Sequence, residues 1–229
     1  MTAEVAVINK SAVALAADSA VTVSRGGKNE KTYNVNKLFT LSKYRPIGVM
    51  VYDNAQLMGV PWETIIKEYR QQLGKTKFDT VSEYAKDFLR HIEKSRRMFS
   101  PDRQREFFRT AAVGMFSGIQ DEVTTKVQSL TSNGKHISKK KIKELCEAQI
   151  KALRDWLLAQ KDLDGLPANF RTSIESNYKR QITSAKGAIF AGKISLSRTA
   201  AKHLTEIAVE MFAKAKIPIS PTGVVIAGF

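Results

Sequence analysis

The residues of this sequence that could do chemistry begin at its second position. Thr2 follows Met1, and because threonine is small we expect Met1 to be removed, which leaves Thr2 with a free α-amino group. An α-amino group has an ordinary pKa of about 7.7–8.0, so part of it is an unprotonated base near neutral pH. This amine can take the proton of its own side-chain hydroxyl, which turns the Oγ atom into a nucleophile. A nearby lysine would lower the pKa of the amine by like-charge repulsion, and a carboxylate would hold such a lysine in place.

Two short apolar runs, residues 3–8 and 12–17, follow this threonine. They flank the polar triplet 9–11, a pattern that predicts two antiparallel strands joined by a tight loop. Both faces of this hairpin are apolar, which predicts that it is buried between two layers. Glu4 is the exception, and nothing in the sequence accounts for it.

The pairing of the two strands depends on where their loop is centred. If the loop centres on Lys10, Val7 faces Val13 and Thr2 faces Asp18. This register predicts that a hydroxyl at the start of the chain lies beside a carboxylate at a strand end.

These residues resemble the β-subunits of the proteasome family and their bacterial relatives, the threonine-type N-terminal nucleophile hydrolases. The family pattern is an N-terminal threonine, an apolar strand, and a second strand V-x-L-A-A-D, which residues 13–18 match. The family next places its catalytic lysine in a short strand N-K-[IL]-x-x-[IL], which residues 36–41 match as Asn-Lys-Leu-Phe-Thr-Leu. A strand at residues 47–51 and a helix follow. The resemblance covers residues 2–74 well and a last strand weakly.

The resemblance implies an α+β fold, the first half of an αββα sandwich, and a threonine-type peptidase that hydrolyses amide bonds. In that reading Thr2 is the nucleophile, Lys37 tunes its amine, and Asp18 holds Lys37. Peptide or protein substrates would lie along the strand near Thr22, and the chains would assemble into homo-oligomeric rings. No cofactor is expected.

The chain departs from the family pattern at three places. The loop at residues 24–31 is longer than usual, and residues 52–54 read Tyr-Asp-Asn where the family usually has Ala-Gly. The backbone N–H at that glycine helps to form the oxyanion hole, and a backbone donor does not require glycine. The family's further catalytic serine and aspartate, which lie in the second half of the sandwich, have no counterpart here. We therefore expect the 229 residues alone not to be a competent enzyme, because a continuation of the gene or a second chain must supply the missing sheet.

Hydrophobic patterning divides the chain into three expected parts. Residues 1–74 carry the first strands and helix of the hydrolase fold, residues 75–195 form a basic helical insertion, and residues 196–229 carry a second helix and one strand. Prolines and serines mark the starts of the helices, because proline suits the first helical position and serine caps the exposed N–H groups; these are Pro61, Pro101, Ser138, Pro167 and Ser197.

Cysteine, histidine and hydropathy exclude several classes of protein and site. Cys146 is the only cysteine, so no internal disulfide is possible, and it lies on an apolar helical stripe that predicts a core position. His91, His136 and His203 are isolated and lack the spacing of metal ligands. No run of about 18 apolar residues and no secretory signal is present, so we expect a cytoplasmic protein that does not enter membranes.

The positive charge of the chain indicates a second possible function, which competes with hydrolysis. The net charge is +15, and residues 75–216 hold most of it, with 28 Lys and Arg against 16 Asp and Glu. Cations could line a face that binds nucleic acid or an acidic protein partner; they are Arg96, Arg97, Arg103, Arg105, Arg109, Lys139, Lys140, Lys141 and Lys143. The alternative reading is therefore an inactive hydrolase-fold scaffold that carries a basic binding module.

Overall fold

The computed structural model describes residues 4–25, 28–34, 36–132, 136–216 and 222–229, without the side chains of residues 20–35. The fold is mixed α+β. The chain forms two compact units, Met1–Pro101 with Ser220–Phe229, and Asp102–Ile219.

The first unit contains the strands and two helices. Its strands are β1 (Glu4–Ile8), β2 (Val13–Ala17), β3 (Ala20–Arg25), β4 (Lys28–Asn34), β5 (Leu38–Thr40), β6 (Ile47–Asp53), β7 (Gln56–Leu57), β8 (Val60–Pro61) and β9 (Thr222–Gly228). Its helices are α1 (Trp62–Leu73) and α2 (Val81–Lys94). Strands β1 and β2, β3 and β4, and β7 and β8 form antiparallel pairs, while β5, β6 and β9 form a three-stranded sheet with β6 in the centre.

The hairpin β1–β2 forms as expected, but its predicted register is wrong by one residue. Ile8 pairs with Val13, where the sequence predicted that Val7 does so. The cause is Asn9, because its side-chain Oδ1 accepts hydrogen bonds from the backbone N–H groups of Ser11 and Ala12, each at 2.8 Å. An asparagine that bonds the backbone two and three residues ahead closes a four-residue loop, 9–12, instead of a three-residue one. Thr2, and the expectation that it faces Asp18, lie outside the described residues.

One face of the hairpin packs against the three-stranded sheet. Leu15 of β2 lies over β6, where its Cδ1 atom is 2.9 Å from the position that a Cβ atom would take on Gly48. The opposite face is exposed, with Val5 55% and Val7 59% accessible to solvent. The expectation that both faces are buried is therefore wrong for the outer face. Glycine at position 48 is what allows the hairpin to approach the sheet this closely.

Helices α1 and α2 bury apolar side chains in a common core with β5 and β6. Val49 of β6 and Ile65 and Ile66 of α1 are fully buried, and Phe88 of α2 is nearly so. Helix α1 begins directly after Pro61, as predicted. Helix α2 begins with a capping box, in which the Thr80 and Glu83 side chains bond each other's backbone N–H groups.

The second unit is helical. It contains nearly all of α3 (Pro101–Thr131), together with α4 (Lys139–Leu158), α5 (Phe170–Asn177), α6 (Lys179–Phe190) and α7 (Arg198–Glu210). Helices α4 and α7 begin at the predicted caps, since the Ser138 and Ser197 side chains accept hydrogen bonds from backbone N–H groups. A core of side chains from α3, α4, α6 and α7 includes Phe116, Ile150 and Leu204, each fully buried.

The division into compact units differs from the domains that the sequence suggested. Helix α2 packs in the core of the strand-containing unit, although the helical insertion was expected to begin at residue 75. Helix α7 packs in the helical core, although residues 196–229 were expected to belong to the hydrolase fold. Apolar periodicity shows which face of a helix is buried, but not which other element covers that face.

Among the described residues, none of the helices combines the length and the apolar character needed to cross a bilayer.

Candidate functional site

The structure brings Lys37 and Asp18 together. Asp18 follows β2 and Lys37 precedes β5, and the Nζ atom of Lys37 lies 2.7 Å from Oδ1 of Asp18. The lysine side chain is only 7% exposed, whereas the aspartate is 34% exposed. The backbone of Lys37 is fixed to the sheet, since its carbonyl oxygen accepts a hydrogen bond of 2.9 Å from the N–H of Val51 in β6. A lysine buried to this degree requires a charge partner, and Asp18 supplies it.

Two other residues of the predicted site are less completely described. Thr2 lies outside the described residues. Thr22 lies in β3, where its backbone pairs with that of Thr32 in β4, but its side chain is not among those described. The catalytic role of Thr2, Asp18 and Lys37 and the substrate-binding role of Thr22 therefore stay predictions.

Glu4 belongs to the same cluster of charged side chains. In the hairpin it pairs with Ala17, the residue before Asp18. Burial raises the pKa of the Glu4 carboxyl above its ordinary 4.5; the positive charge of Lys37 opposes this rise, and the negative charges of Asp53 and Asp18 add to it. Its Oε1 atom is buried and accepts no hydrogen bond from any residue that the structure describes. The sequence marked Glu4 as the one carboxylate in an otherwise apolar strand, but nothing in its spacing assigned it to the site.

A pocket with a volume of about 210 Å³ opens beside Lys37. Its wall is built by the residues before β5, the end of β6 and the start of α1; they are Asn36, Lys37, Val51, Tyr52, Asp53, Asn54, Ala55, Gln56, Pro61, Trp62 and Glu63. The N-terminal end of α1 contributes a partial positive charge to this wall, which also contains the carboxylates of Asp53 and Glu63. Lys37 is thus one of the residues that line this pocket.

The end of β6 has an unusual backbone conformation at Asp53, whose φ angle is +64°. Residues other than glycine adopt this left-handed region rarely, although aspartate tolerates it better than most. Neighbouring contacts hold the segment in place, because the Tyr52 ring covers Gly223 of β9 and the Thr222 hydroxyl donates a 3.1 Å hydrogen bond to the Asn54 carbonyl. Asp53 thus has a glycine-like backbone in the segment where the resembling family usually has Ala-Gly.

Other candidate residues fall into structural positions. Cys146 is fully buried in the helical core, as its apolar stripe predicted, and burial raises the pKa of its thiol to about 11. His91 contacts Gln72, with 2.7 Å between Nδ1 and the amide oxygen. Within the described ranges, no group of three or more His, Cys, Asp or Glu side chains is arranged to hold a metal ion.

Many cations of the basic region are paired with acidic neighbours. Arg97 contacts Glu68 and Arg105 contacts Asp102, at 2.6 and 2.7 Å respectively. Arg109, Lys141 and Lys143 are also within ion-pair distance of glutamates; the pairs are Arg109–Glu106, Lys141–Glu144 and Lys143–Glu147. Pairing with internal carboxylates reduces the positive potential that these side chains can offer to a polyanion.

Comparison with protein-family models, curated proteins and solved structures found no match to this chain.

Proposed function

We propose that this protein is a threonine-type N-terminal nucleophile hydrolase that cleaves amide bonds in peptides. The observation that supports this function best is the buried ion pair between Lys37 and Asp18. The two residues are 19 positions apart in sequence, and the threonine mechanism needs a lysine that is held by a carboxylate. An ordinary surface lysine would not be buried against a carboxylate beside a pocket.

In the proposed mechanism, the Oγ atom of Thr2 attacks the carbonyl carbon of the scissile amide. The α-amine of Thr2 takes the proton from Oγ and later gives it to the leaving amine. Lys37 keeps the pKa of that amine low by like-charge repulsion, and Asp18 holds the Lys37 ammonium in place. Water then hydrolyses the ester formed on Thr2, which releases the second product and restores the free hydroxyl.

The oxyanion of the tetrahedral intermediate needs backbone donors, and the segment at Asp53 is the proposed source. Its positive φ allows the chain to turn sharply at the end of β6, beside the pocket and the Lys37 side chain. Preorganised N–H donors of this kind contribute much of the rate acceleration in acyl transfer.

The finer fold assignment, one half of an αββα sandwich, is part of the same proposal. Its support is a layered arrangement in which α1 and α2 share a core with the central sheet and the hairpin packs on that sheet. The exposed apolar side chains of Val5 and Val7 fit a surface that a further sheet covers. Substrate binding along the strand of Thr22 and assembly into homo-oligomeric rings are the remaining parts of this proposal.

The proposed nucleophile can be tested without knowledge of the natural substrate. Intact-mass measurement is expected to show a chain that begins at Thr2, because a retained Met1 blocks the amine. A peptide epoxyketone can bond to both the hydroxyl and the amine of an N-terminal threonine. In the complete, assembled protein it should therefore add one inhibitor mass to the wild-type chain and none to Thr2→Ala. Thr125→Ala is the matched control, since this exposed hydroxyl in α3 bonds only locally, to the Asp121 carbonyl among described contacts. Complete retention of Met1, or equal labelling of Thr2→Ala, would refute the mechanism.

A second candidate function is binding of nucleic acid or of an acidic protein by the helical unit. One observation favours it, because Lys139, Lys140 and Lys141 occupy the first turn of α4 with no acidic residue beside them in that turn. Cations are unfavourable at the N-terminal end of a helix, so such a cluster is expected to serve binding. Retention on single-stranded DNA that falls steeply with salt, and falls further in Lys139→Gln/Lys140→Gln, would support this function.

A further inference from the structure

Trp62 is the first residue of α1 and one of the residues that line the pocket beside Lys37. The residue is 7% exposed, and its indole N–H is buried. In the part of the chain that the structure describes, this N–H donates to no acceptor. A buried donor without an acceptor costs free energy, and such donors are rare in folded proteins. Phenylalanine would fill the same place in the core without this cost, so packing alone does not explain the tryptophan.

The charges in the pocket wall restrict which chemical group can pair with this donor. The Lys37 ammonium and the Glu63 carboxylate each have an ion-pair partner. Asp53 also lines the pocket, and within the described residues its carboxylate forms no ion pair or hydrogen bond. The wall therefore combines a buried N–H donor from Trp62 with a carboxylate acceptor from Asp53.

Most side-chain chemistries satisfy only one of these two groups. A carboxylate would be repelled by Asp53, a lysine or arginine side chain has no acceptor for the indole N–H, and an apolar group leaves both unpaired. A hydroxyl would have to reach both residues with one oxygen. A primary carboxamide is neutral and carries a carbonyl acceptor and an NH2 donor on separate atoms.

The size and backbone of the pocket suit a single small group. Its volume of about 210 Å³ lies below the ~300–1,000 Å³ of pockets that enclose drug-sized ligands. Its wall includes the positive φ angle of Asp53, +64°, and such rare conformations are often found at ligand sites. The N-terminal end of α1 adds a partial positive charge that favours a carbonyl oxygen there.

We propose that this pocket binds the primary carboxamide of a glutamine side chain. Its carbonyl oxygen accepts a hydrogen bond from the indole N–H of Trp62, and its NH2 group donates to the carboxylate of Asp53. That this glutamine belongs to a peptide hydrolysed by Thr2 rests on the proposed function, whereas binding of the carboxamide does not. Trp62 and Asp53 are then the residues that determine specificity for glutamine near the cleaved bond.

NMR of the full chain tests the binding step without any hydrolysis. In a ¹⁵N-labelled Trp156→Phe background, Trp62 is the only tryptophan and gives the only indole N–H resonance. Titration with N-acetylglutamine methylamide should move this resonance in a saturable manner. The methionine analogue has a similar size and lacks the carboxamide, so it should bind about tenfold more weakly. An indole resonance that glutamine does not move, or that the methionine or serine analogue moves at equal concentration, would overturn the proposal.

Variants separate the two hydrogen bonds. Asp53→Asn keeps a side chain that tolerates positive φ and removes the charge, so it should weaken glutamine binding several-fold and reduce discrimination against the glutamate analogue. Trp62→Phe should have a similar effect, measured through saturation transfer to the ligand. Asp164→Asn is the matched control, because this carboxylate is 89% exposed in the helical unit and should leave the affinity unchanged. Unchanged affinity in Asp53→Asn would refute the pairing even if Trp62→Phe does not fold.

Hydrolysis by the complete, assembled protein tests the consequence for specificity. Of two peptides that differ only in glutamine or methionine beside the cleaved bond, the glutamine peptide should have a kcat/KM about tenfold higher. Equal values, despite selective binding by NMR, would contradict a role of the pocket in substrate choice. Absence of hydrolysis of both peptides would refute the proposed function, and the carboxamide site would then be decided by the NMR titration.

Discussion

The buried ion pair between Lys37 and Asp18 makes a quantitative prediction about stability. At 2.7 Å between Nζ and Oδ1, the attraction of two unit charges is about 6 kcal/mol at an effective dielectric constant of about 20. Most of this is offset by the cost of removing the lysine ammonium from water. Because Asp18 remains a third exposed, we expect a net coupling energy of about 1–2 kcal/mol.

A double-mutant cycle with Asp18→Asn and Lys37→Met measures this coupling. Asp18→Asn alone should cost about 2–3 kcal/mol, because it leaves a buried ammonium beside less negative charge. Lys37→Met alone should lower the free energy of unfolding by less, since water can still hydrate the partly exposed Asp18 carboxylate. Unfolding by urea can be followed through Trp62, which is 7% exposed in the strand-containing unit. The protein has two tryptophans, so a Trp156→Phe background leaves Trp62 as the only one.

The chain offers a matched control for the same measurement. Glu63 and Lys67 form an ion pair of 2.5 Å within α1, but their side chains are 42% and 56% exposed. Exposed pairs of this spacing contribute about 0.3–0.5 kcal/mol. A coupling energy for Lys37 and Asp18 no larger than that for Glu63 and Lys67 would refute the argument that burial makes the pair special.

The helices were largely predictable from local sequence, because their signals act within a few residues. Ser138 and Ser197 cap α4 and α7 through contacts three residues ahead, and Pro61 precedes α1. The hairpin was predictable for the same reason, but its register was not. The side chain of Asn9 closes the loop one residue later than the apolar pattern suggests, and patterning cannot distinguish the two registers when both faces are apolar.

The site was only partly predictable from the sequence, because its side chains are brought together by contacts between distant segments of the chain. The pairing of Lys37 with Asp18 was expected from a resemblance of short motifs, not from any physical signal that joins the two positions. Glu4 was visible as a charge in an apolar strand, but its neighbours come from segments up to Asp53 and could not be identified from spacing. The left-handed backbone of Asp53 was also not predictable from the sequence, because glycine is the usual sign of a positive φ angle and this position holds aspartate.

Three further predictions concern positions whose environment the structure defines. At Asp53, where φ is +64°, Asp53→Val should lower the free energy of unfolding by about 1–2 kcal/mol relative to Asp53→Gly, as measured by Trp62 emission in urea. Lys214→Met should cost about 2–4 kcal/mol in thermal unfolding, because it removes a buried ammonium that contacts Asp162 at 2.7 Å and the Gln160 carbonyl at 3.1 Å. Cys146 should resist an aromatic disulfide reagent at pH 8, because burial and the nearby Glu147 raise its thiol pKa to about 11 and solvent does not reach it. Its reaction should proceed only through unfolding, at least about a thousandfold more slowly than in urea-unfolded chain. Equal rates in the folded and unfolded protein would show that the thiol is not enclosed by the helical core.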